Sequence, residues 1–247
     1  MHLLVMAHGD VGRQAVDFLI SRYREDVALV VTTGWDDIAR AAEGAGLAWL
    51  EWTGNAATAE AIAAQGGSFD LGVLAWWPHL IRQPLAGLPA AGFINFHPSL
   101  LPFNRGKHYN FWALVEEAPF GVTLHAIDQG VDSGDIVAQR AIPYDWTDTG
   151  STLHAKAQAE ILALFCDTYP QLRTLAFERT PQDPAAGSFH RASELEQASR
   201  IELDRTYRGR DLLNLLRART FPGYPGCRFE DNGVVYEARI EIKRVDK

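Results

Sequence analysis

The sequence predicts an α/β fold: a mostly parallel sheet with helices on both faces, followed by a small C-terminal helix-and-β-hairpin extension. Three observations predict it. Short, continuously apolar runs recur at 2–6, 27–31, 71–75 and 93–96, and strands buried on both faces read this way. Helix-length segments separate these runs, which is the alternation of a parallel sheet. After residue 200 the text changes to one helical segment and two extended ones around Asp231-Asn232-Gly233, a hairpin turn signal.

The elements follow in order. His2–Met6 reads as a strand, closed by Ala7-His8-Gly9-Asp10, with an apolar-periodic helix over Val11–Ile20. Val27–Val31 is a second buried strand. Asp36–Glu43 is a helix that Gly44 stops, and Ala57–Ala64 is another. Leu71–Ala75 and Phe93–Phe96 are strands. Gly121–Ile127 and Ile136–Ile142 are β-like and flank Asp128-Gln-Gly130-Val-Asp132-Ser-Gly134-Asp135. Leu153, Ala157, Ile161 and Leu164 fall on one helical face, and Pro170 is expected to kink or end that helix. Residues 181–200 are polar and contain Pro and Gly, as a linker does. Tyr207–Arg217 reads as helical, and Cys227–Glu230 and Val234–Ile242 as the hairpin. The expected organisation is a Rossmann-like catalytic domain over 1–180, a linker over 181–200 and a small α/β extension over 201–247.

Composition narrows the function. The 247 residues suffice for one full domain and an appendage. No apolar run approaches the roughly 20 residues that span a bilayer, so no membrane is expected. The N-terminus lacks a basic segment and a cleavage site, and only two cysteines occur, far apart; a reducing cytoplasm is the expected location. A net charge of −8 makes nucleic acid a poor partner. The charge is uneven: residues 201–247 hold ten Lys and Arg against eight Asp and Glu, the first 200 hold thirteen against twenty-three. This is either a mixed solvated surface or a set of cations near an anionic substrate.

Two glycines, Gly9 and Gly12, follow the first strand, but the GxGxxG fingerprint is missing, as is an acidic residue at the end of the second strand. NAD binding is therefore disfavoured. The turn is a tight strand-to-helix connection, or one whose backbone N–H groups at His8 and Gly9 meet an anion.

Chemistry concentrates in Gly92-Phe-Ile-Asn95-Phe-His97-Pro98-Ser-Leu-Leu-Pro102. On a strand, Asn95 and His97 share one side because side chains alternate, and Pro98 stops the ladder beyond them. An amide that donates to an oxyanion and an imidazole that exchanges protons near neutral pH would stand together where α/β sheets bind ligands. Asp132, bracketed by Gly130 and Gly134, lies on a loop from which its carboxylate can reach His97; a plain surface turn uses the same residues. Three aspartates raise a metal, yet the spacing fits no Ca²⁺ loop and no HExxH or Cys/His cluster is present. No metal is expected.

The order N-F-H-P-S-L-L-P, then H-x₆-D-S-G-D some 30 residues on, resembles the folate-dependent formyltransferases. The likeness is clear over roughly 70–165 and looser at the N-terminal turn. It implies that Asn95, His97 and Asp132 are catalytic and that His125 opens the aspartate strand beside the substrate. It implies N10-formyltetrahydrofolate as co-substrate, held between the strand-end segment with Trp77, Pro78, His79 and Ile81 and the loop with Ile127, Asp128, Gly130 and Val131. One of Trp76 and Trp77 is expected to wall that pocket and the other to join the core. By this resemblance the acceptor amine attacks the formyl carbon directly, through a tetrahedral intermediate whose oxyanion Asn95 stabilises while His97 moves the proton.

Asn104-Arg105-Gly106-Lys107, Pro119–His125 and the Leu216-Arg217-Ala-Arg219-Thr-Phe221-Pro-Gly-Tyr224 stretch are similar to the sugar N-formyltransferases. Those act on nucleotide-linked amino sugars, often dTDP-linked, made for surface polysaccharides such as lipopolysaccharide. The likeness implies that Arg105, Lys107, Arg217 and Arg219 meet a pyrophosphate, and that Phe221 and Tyr224 stack on a base or pack the extension. A homodimer is expected by the same likeness. Methionyl-tRNA and glycinamide ribonucleotide formyltransferases are the alternatives; the short, weakly basic tail disfavours tRNA. A nucleotide-sugar binding protein without chemistry is the alternative from another class.

Overall fold

The computed structural model describes residues 1–245. Its strands and helices are β1 Leu3–Ala7, α1 Gly9–Tyr23, β2 Val27–Thr32, α2 Asp37–Gly44, β3 Trp49–Glu51, α3 Asn55–Ala64, β4 Leu71–Ala75, β5 Phe93–His97, β6 Arg105–Gly106, α4 Tyr109–Val115, β7 Gly121–Ala126, β8 Ile136–Ala141, α5 Gly150–Leu172, β9 Phe189–His190, α6 Glu194–Ala198, α7 Gly209–Ala218, β10 Cys227–Asp231 and β11 Val234–Ala238. A seven-stranded sheet has the order β3-β2-β1-β4-β5-β7-β8. The first five strands run parallel, and β7 is antiparallel to β5. This is the mostly parallel α/β sheet that the apolar runs predict.

The chain divides into two compact units: 1–97, 123–139 and 161–181 form the first, and 98–122, 140–160 and 182 onward form the second. In the first unit the register sorts the sheet into two faces. Leu4, Leu29 and Phe93 are in register across neighbouring strands, as are Met6, Val31, Leu74 and Asn95. The apolar members of this face pack on Ala59 and Ile62 of α3 in one buried cluster. The opposite face carries Phe96, whose ring lies 4.9 Å from Phe165 of α5, which in turn meets Phe18 of α1 at 5.9 Å. Helices therefore cover both faces. A buried carboxylate, Asp26, accepts from the Tyr169 hydroxyl at 3.0 Å and from Arg173 Nε at 2.8 Å. Burial alone would raise its pKa; these hydrogen bonds outweigh it and hold the carboxyl below its ordinary value.

Asp36 caps α2 as its position predicts, accepting from the N–H groups of Ile38 and Ala39. Pro170, expected to kink or end the helix, lies in its last turn, and α5 ends two residues on, at Leu172. A proline that close to the helix end removes one bond from the last turn, where continuation has little left to lose.

In the second unit α4 packs on α7, and β6 pairs with β9. Residues 181–200, read from sequence as a linker, thus contain β9 and α6. β10 and β11 form the expected hairpin, with Asn232 and Gly233 at φ +48° and +79°, the double left-handed turn that Asn-Gly favours. β11 ends at Ala238, short of the expected Ile242. Among the described residues, no helix is long and apolar enough to cross a membrane.

Candidate active site

β5 and β7 build the centre of the candidate site. Asn95 pairs with His125, and His97 with Thr123. Paired residues share a face, so Asn95, His97 and His125 stand on the side of the sheet that α3 covers. His97 is 5% exposed and His125 2%. Asp132 arrives from the loop between β7 and β8. Its Oδ1 lies 3.4 Å from Nδ1 of His97 and 3.8 Å from Nε2 of His125. The three residues singled out as catalytic therefore converge, around a fourth, His125.

The loop shape explains how Asp132 gets there. Asp128 organises it from within, accepting from the Gly130 N–H at 2.9 Å and the Ser133 hydroxyl at 2.8 Å. At Gly134 the backbone passes so close to the Ala126 carbonyl that a Cβ would stand 1.9 Å from its oxygen, so any side chain here forces the backbone to shift. Asp132 itself sits at φ +53°, a left-handed conformation that Asp tolerates better than most side chains.

His125 fixes Asn95. Its Nδ1 is 2.8 Å from the Ala126 carbonyl oxygen, which only an N–H can satisfy. Nε2 is then an acceptor, and it takes a hydrogen bond from the Asn95 amide N–H₂ at 3.1 Å. Burial, and then the neighbouring His97, push the His125 imidazole down to about 4, against the opposing pull of Asp132. It is neutral at physiological pH. The amide is thereby turned with one N–H toward His125 and its second N–H directed elsewhere. His97 presents Nδ1 to the carboxylate, which leaves Nε2 as the nitrogen for proton exchange.

Around this centre lie the segments singled out for a cofactor. Trp77, Ile81 and Ile127 pack against the apolar cluster under the sheet. His79 stacks on Trp52 with ring centroids 4.0 Å apart. The indole N–H groups of Trp52 and Trp77 are buried and have no hydrogen-bond partner. Pro78 lies between Trp77 and His79, Trp76 takes φ +59°, and Val131 is exposed. Asp128 is engaged inside its own loop. Apolar walls with two unanswered donors fit a flat, partly polar ring such as a pterin. His8 donates its backbone N–H to Ala75, bringing the ends of β1 and β4 together, and its Nδ1 is 3.0 Å from the Thr33 hydroxyl. Gly9 follows at φ +63°. The order of strands reverses between β1 and β4, the place where open α/β sheets bind ligands.

The remaining expected substrate residues lie in the second unit. Asn104 is fully buried and accepts from the Ser188 hydroxyl at 3.0 Å. Arg105 and Gly106 form β6, and the Lys107 N–H donates to the His190 carbonyl. Arg217 does not stand as its expected pyrophosphate contact requires. Its guanidinium is 4.7 Å from the Trp146 ring and donates to the Asp145 and Asp148 carbonyls and to Asn214. The side chain is 3% exposed; it is a packing element. Arg219, Phe221 and Tyr224 do line one pocket of about 280 Å³, with His108, Tyr109 and His154. Arg219 Nη2 meets Glu196 at 2.7 Å, while its buried Nε has no hydrogen-bond partner. Burial, and then Arg219 and Lys107, lower the pKa of His108 against the opposing pull of Glu196. Phe221 and Tyr224 meet edge to face at 5.1 Å.

Sequence reasoning missed Trp52, His108, Tyr109 and His154. The Tyr109 hydroxyl bonds His154 Nδ1 at 2.6 Å across 45 residues, a pairing with no linear signature. His108 carries one structural signal, φ +61°, rare for such a residue.

Comparison with known proteins bears on the family and the fold. Residues 194–244 match the model of the N-formyltransferase dimerization C-terminal domain. Among solved structures, a sugar N-formyltransferase from Shewanella sp. superposes with a TM-score of 0.80 at 19% identity, covering 100% of this chain and 99% of its own. A 4-N formyltransferase from Francisella tularensis gives 0.79 at 22% identity, covering 99% and 98%. At these identities both speak to the fold alone. The formyltransferase PseJ from Anoxybacillus kamchatkensis, in complex with UDP-4,6-dideoxy-4-formamido-L-AltNAc and tetrahydrofolate, is 26% identical with a TM-score of 0.60, covering 87% of this chain and 97% of its own. Residues 37–167, more than half of the chain and the whole Asn95–His97–Asp132 cluster, match the formyl transferase model, and the chain belongs to that family.

Proposed function

We propose that this chain transfers a formyl group from N10-formyltetrahydrofolate to the amine of a nucleotide-linked amino sugar, with a dTDP- or UDP-linked sugar as acceptor. The convergence of Asn95, His97 and Asp132 at the carboxyl end of β5 carries the reading. The acceptor class is supported by the relative bound to a UDP-sugar and tetrahydrofolate, and by the aromatic pocket of the second unit, which Arg219 also lines.

The folate supplies an activated formyl group, and Trp77, Ile81, Ile127 and the loop carrying Val131 are the residues that hold it. Asn95 directs its second amide N–H at the oxygen on which negative charge grows. A donor of that kind contributes about 10²–10³ in rate. His97 would take the proton of the attacking amine on Nε2 and pass it to the folate N10 as the bond between N10 and the formyl carbon breaks, which releases tetrahydrofolate and the N-formyl sugar; proton transfer of this kind is worth roughly 10²–10⁴. Asp132 holds the opposite edge of the ring. Within the second unit, Arg219 would suit a phosphate, and Phe221 and Tyr224 offer π-faces to a base. We further infer a homodimer formed through residues 194–244, and a cytoplasmic location, with which two free cysteines agree.

The test is direct. The protein is incubated with N10-formyltetrahydrofolate and a panel of dTDP- and UDP-amino sugars, with glycinamide ribonucleotide and methionyl-tRNA alongside. The expected result is a mass gain of one formyl group on a sugar. Formylation of another acceptor alone overturns the acceptor reading, and binding without mass gain overturns the chemistry. His97→Asn and Asp132→Asn are expected to fold normally and to lose most turnover.

A further inference from the structure

We propose that His97, His125 and Asp132 form a binding site for a divalent transition-metal ion of the Zn²⁺ class, and that such an ion blocks formyl transfer. Nδ1 of His97, Nε2 of His125 and a carboxylate oxygen of Asp132 all lie within 4.8 Å of one another, the one such convergence of three ligand side chains among the described residues. Ligand atoms about 2.0–2.2 Å from one tetrahedral ion stand roughly 3.4 Å apart. The His97–Asp132 distance of 3.4 Å already has that value, and His125–Asp132, at 3.8 Å, is near it.

Three further features favour an ion. The ligand atom of His125 is presented as metal-binding histidines present theirs: Nδ1–H is held by the Ala126 carbonyl at 2.8 Å, so the lone pair of Nε2 faces inward. The two imidazoles are carried by paired strands and are almost wholly buried, which lowers the ordering a ligand must impose. The donor set, two imidazoles and one carboxylate, suits Zn²⁺, Cu²⁺, Ni²⁺ or Fe²⁺ rather than the all-oxygen shells of Ca²⁺ and Mg²⁺. No linear spacing announces the site, because its ligands come from β5, β7 and the loop between β7 and β8.

Occupancy and catalysis exclude each other. An ion on His125 Nε2 takes the lone pair that receives the Asn95 N–H, and an ion between His97 and Asp132 takes the edge of the imidazole that the carboxylate holds. The amide loses its orientation and the base loses its support, with no change of fold.

The experiment strips the protein with a chelator and titrates Co²⁺, following its visible ligand-field absorption, with Zn²⁺ as competitor, in the wild type, His125→Gln and Asp132→Asn. Saturation at one ion per chain is expected, displaced by Zn²⁺ and weakened at least about tenfold in either variant. Wild-type transfer should fall in step with occupancy. Absence of a saturable spectrum, or equal affinity in both variants, overturns the site; transfer that persists at full occupancy overturns the block. Asp132→Asn is nearly isosteric, so it keeps the comparison decisive should His125→Gln fold poorly. The spectroscopic readout is independent of formyl transfer, so failure of the metal site and failure of the proposed activity are told apart.

Discussion

Asn95 has its orientation set by a neighbour. The Ala126 carbonyl holds the proton on Nδ1 of His125, Nε2 becomes an acceptor, and the amide must turn its nitrogen toward it. Replacing Asn95 by Ala is expected to slow transfer by about 10²–10³, measured as turnover with saturating acceptor; a loss below tenfold would remove the amide from the chemistry. His125 also predicts an acid response. Its folded-state pKa of about 4 lies below the ordinary 6.5, and burial lowers His108 and His154 in the same direction. The unfolded chain therefore binds more protons than the folded one between these values. The stability these neutral histidines retain above pH 6.5 is lost as pH falls toward 4. Melting temperature should drop through that window, and a flat profile contradicts the burial of neutral imidazoles. Much of the centre was legible at this scale: the period of a strand sets Asn95 and His97 on one side, and a carboxylate between two glycines sits on a loop. His125 beside Asn95 depends on pairing across 30 residues, and Arg217 depends on where a long side chain lies down. Neither is written locally.

The elements divide in the same way. Caps and turns were readable because a few adjacent residues decide them. Asp36→Ala should cost about 1 kcal/mol, seen as a lower denaturant midpoint with unchanged slope; no shift would mean that the Thr32 hydroxyl, also bonded to Asp36, is not part of a cap that matters. The Asp132 loop is decided by close approach. Gly134→Ala sets a methyl group against the Ala126 carbonyl, and a loss of about 1–3 kcal/mol is expected, with turnover falling further than stability because Asp132 moves. Normal turnover in Gly134→Ala would mean the loop need not hold this shape. β6 and β9 were unreadable, since two-residue strands joined across 84 positions leave no periodicity to detect.

At the scale of the molecule, the sequence shows both the acidic body and the near-neutral tail, and the tail's role rests on exposure. β10 pairs with β11 and touches the rest of the chain through one bridge, Arg228 to Arg200, while β11 has no second strand partner among the described residues, and a two-stranded hairpin is marginal in water. Val234, Val235 and Tyr236 stand 51%, 62% and 45% exposed, an apolar strand without cover in one chain. Residues 194–244 match a dimerization domain. Val235→Glu is therefore expected to halve the mass measured by light scattering; an unchanged dimer would exclude the hairpin from the interface.

The left-handed residues carry one more consequence. Of the seven described non-glycine residues at positive φ, four, Trp76, Asn104, His108 and Asp132, belong to the candidate sites and hold φ between +53° and +61°, and for the bulky members that conformation costs on the order of 1–2 kcal/mol. Glycine would relieve it at each position. A laboratory selection for heat resistance alone would be drawn to those positions, and the more durable enzymes it returned would have given up side chains at the candidate sites.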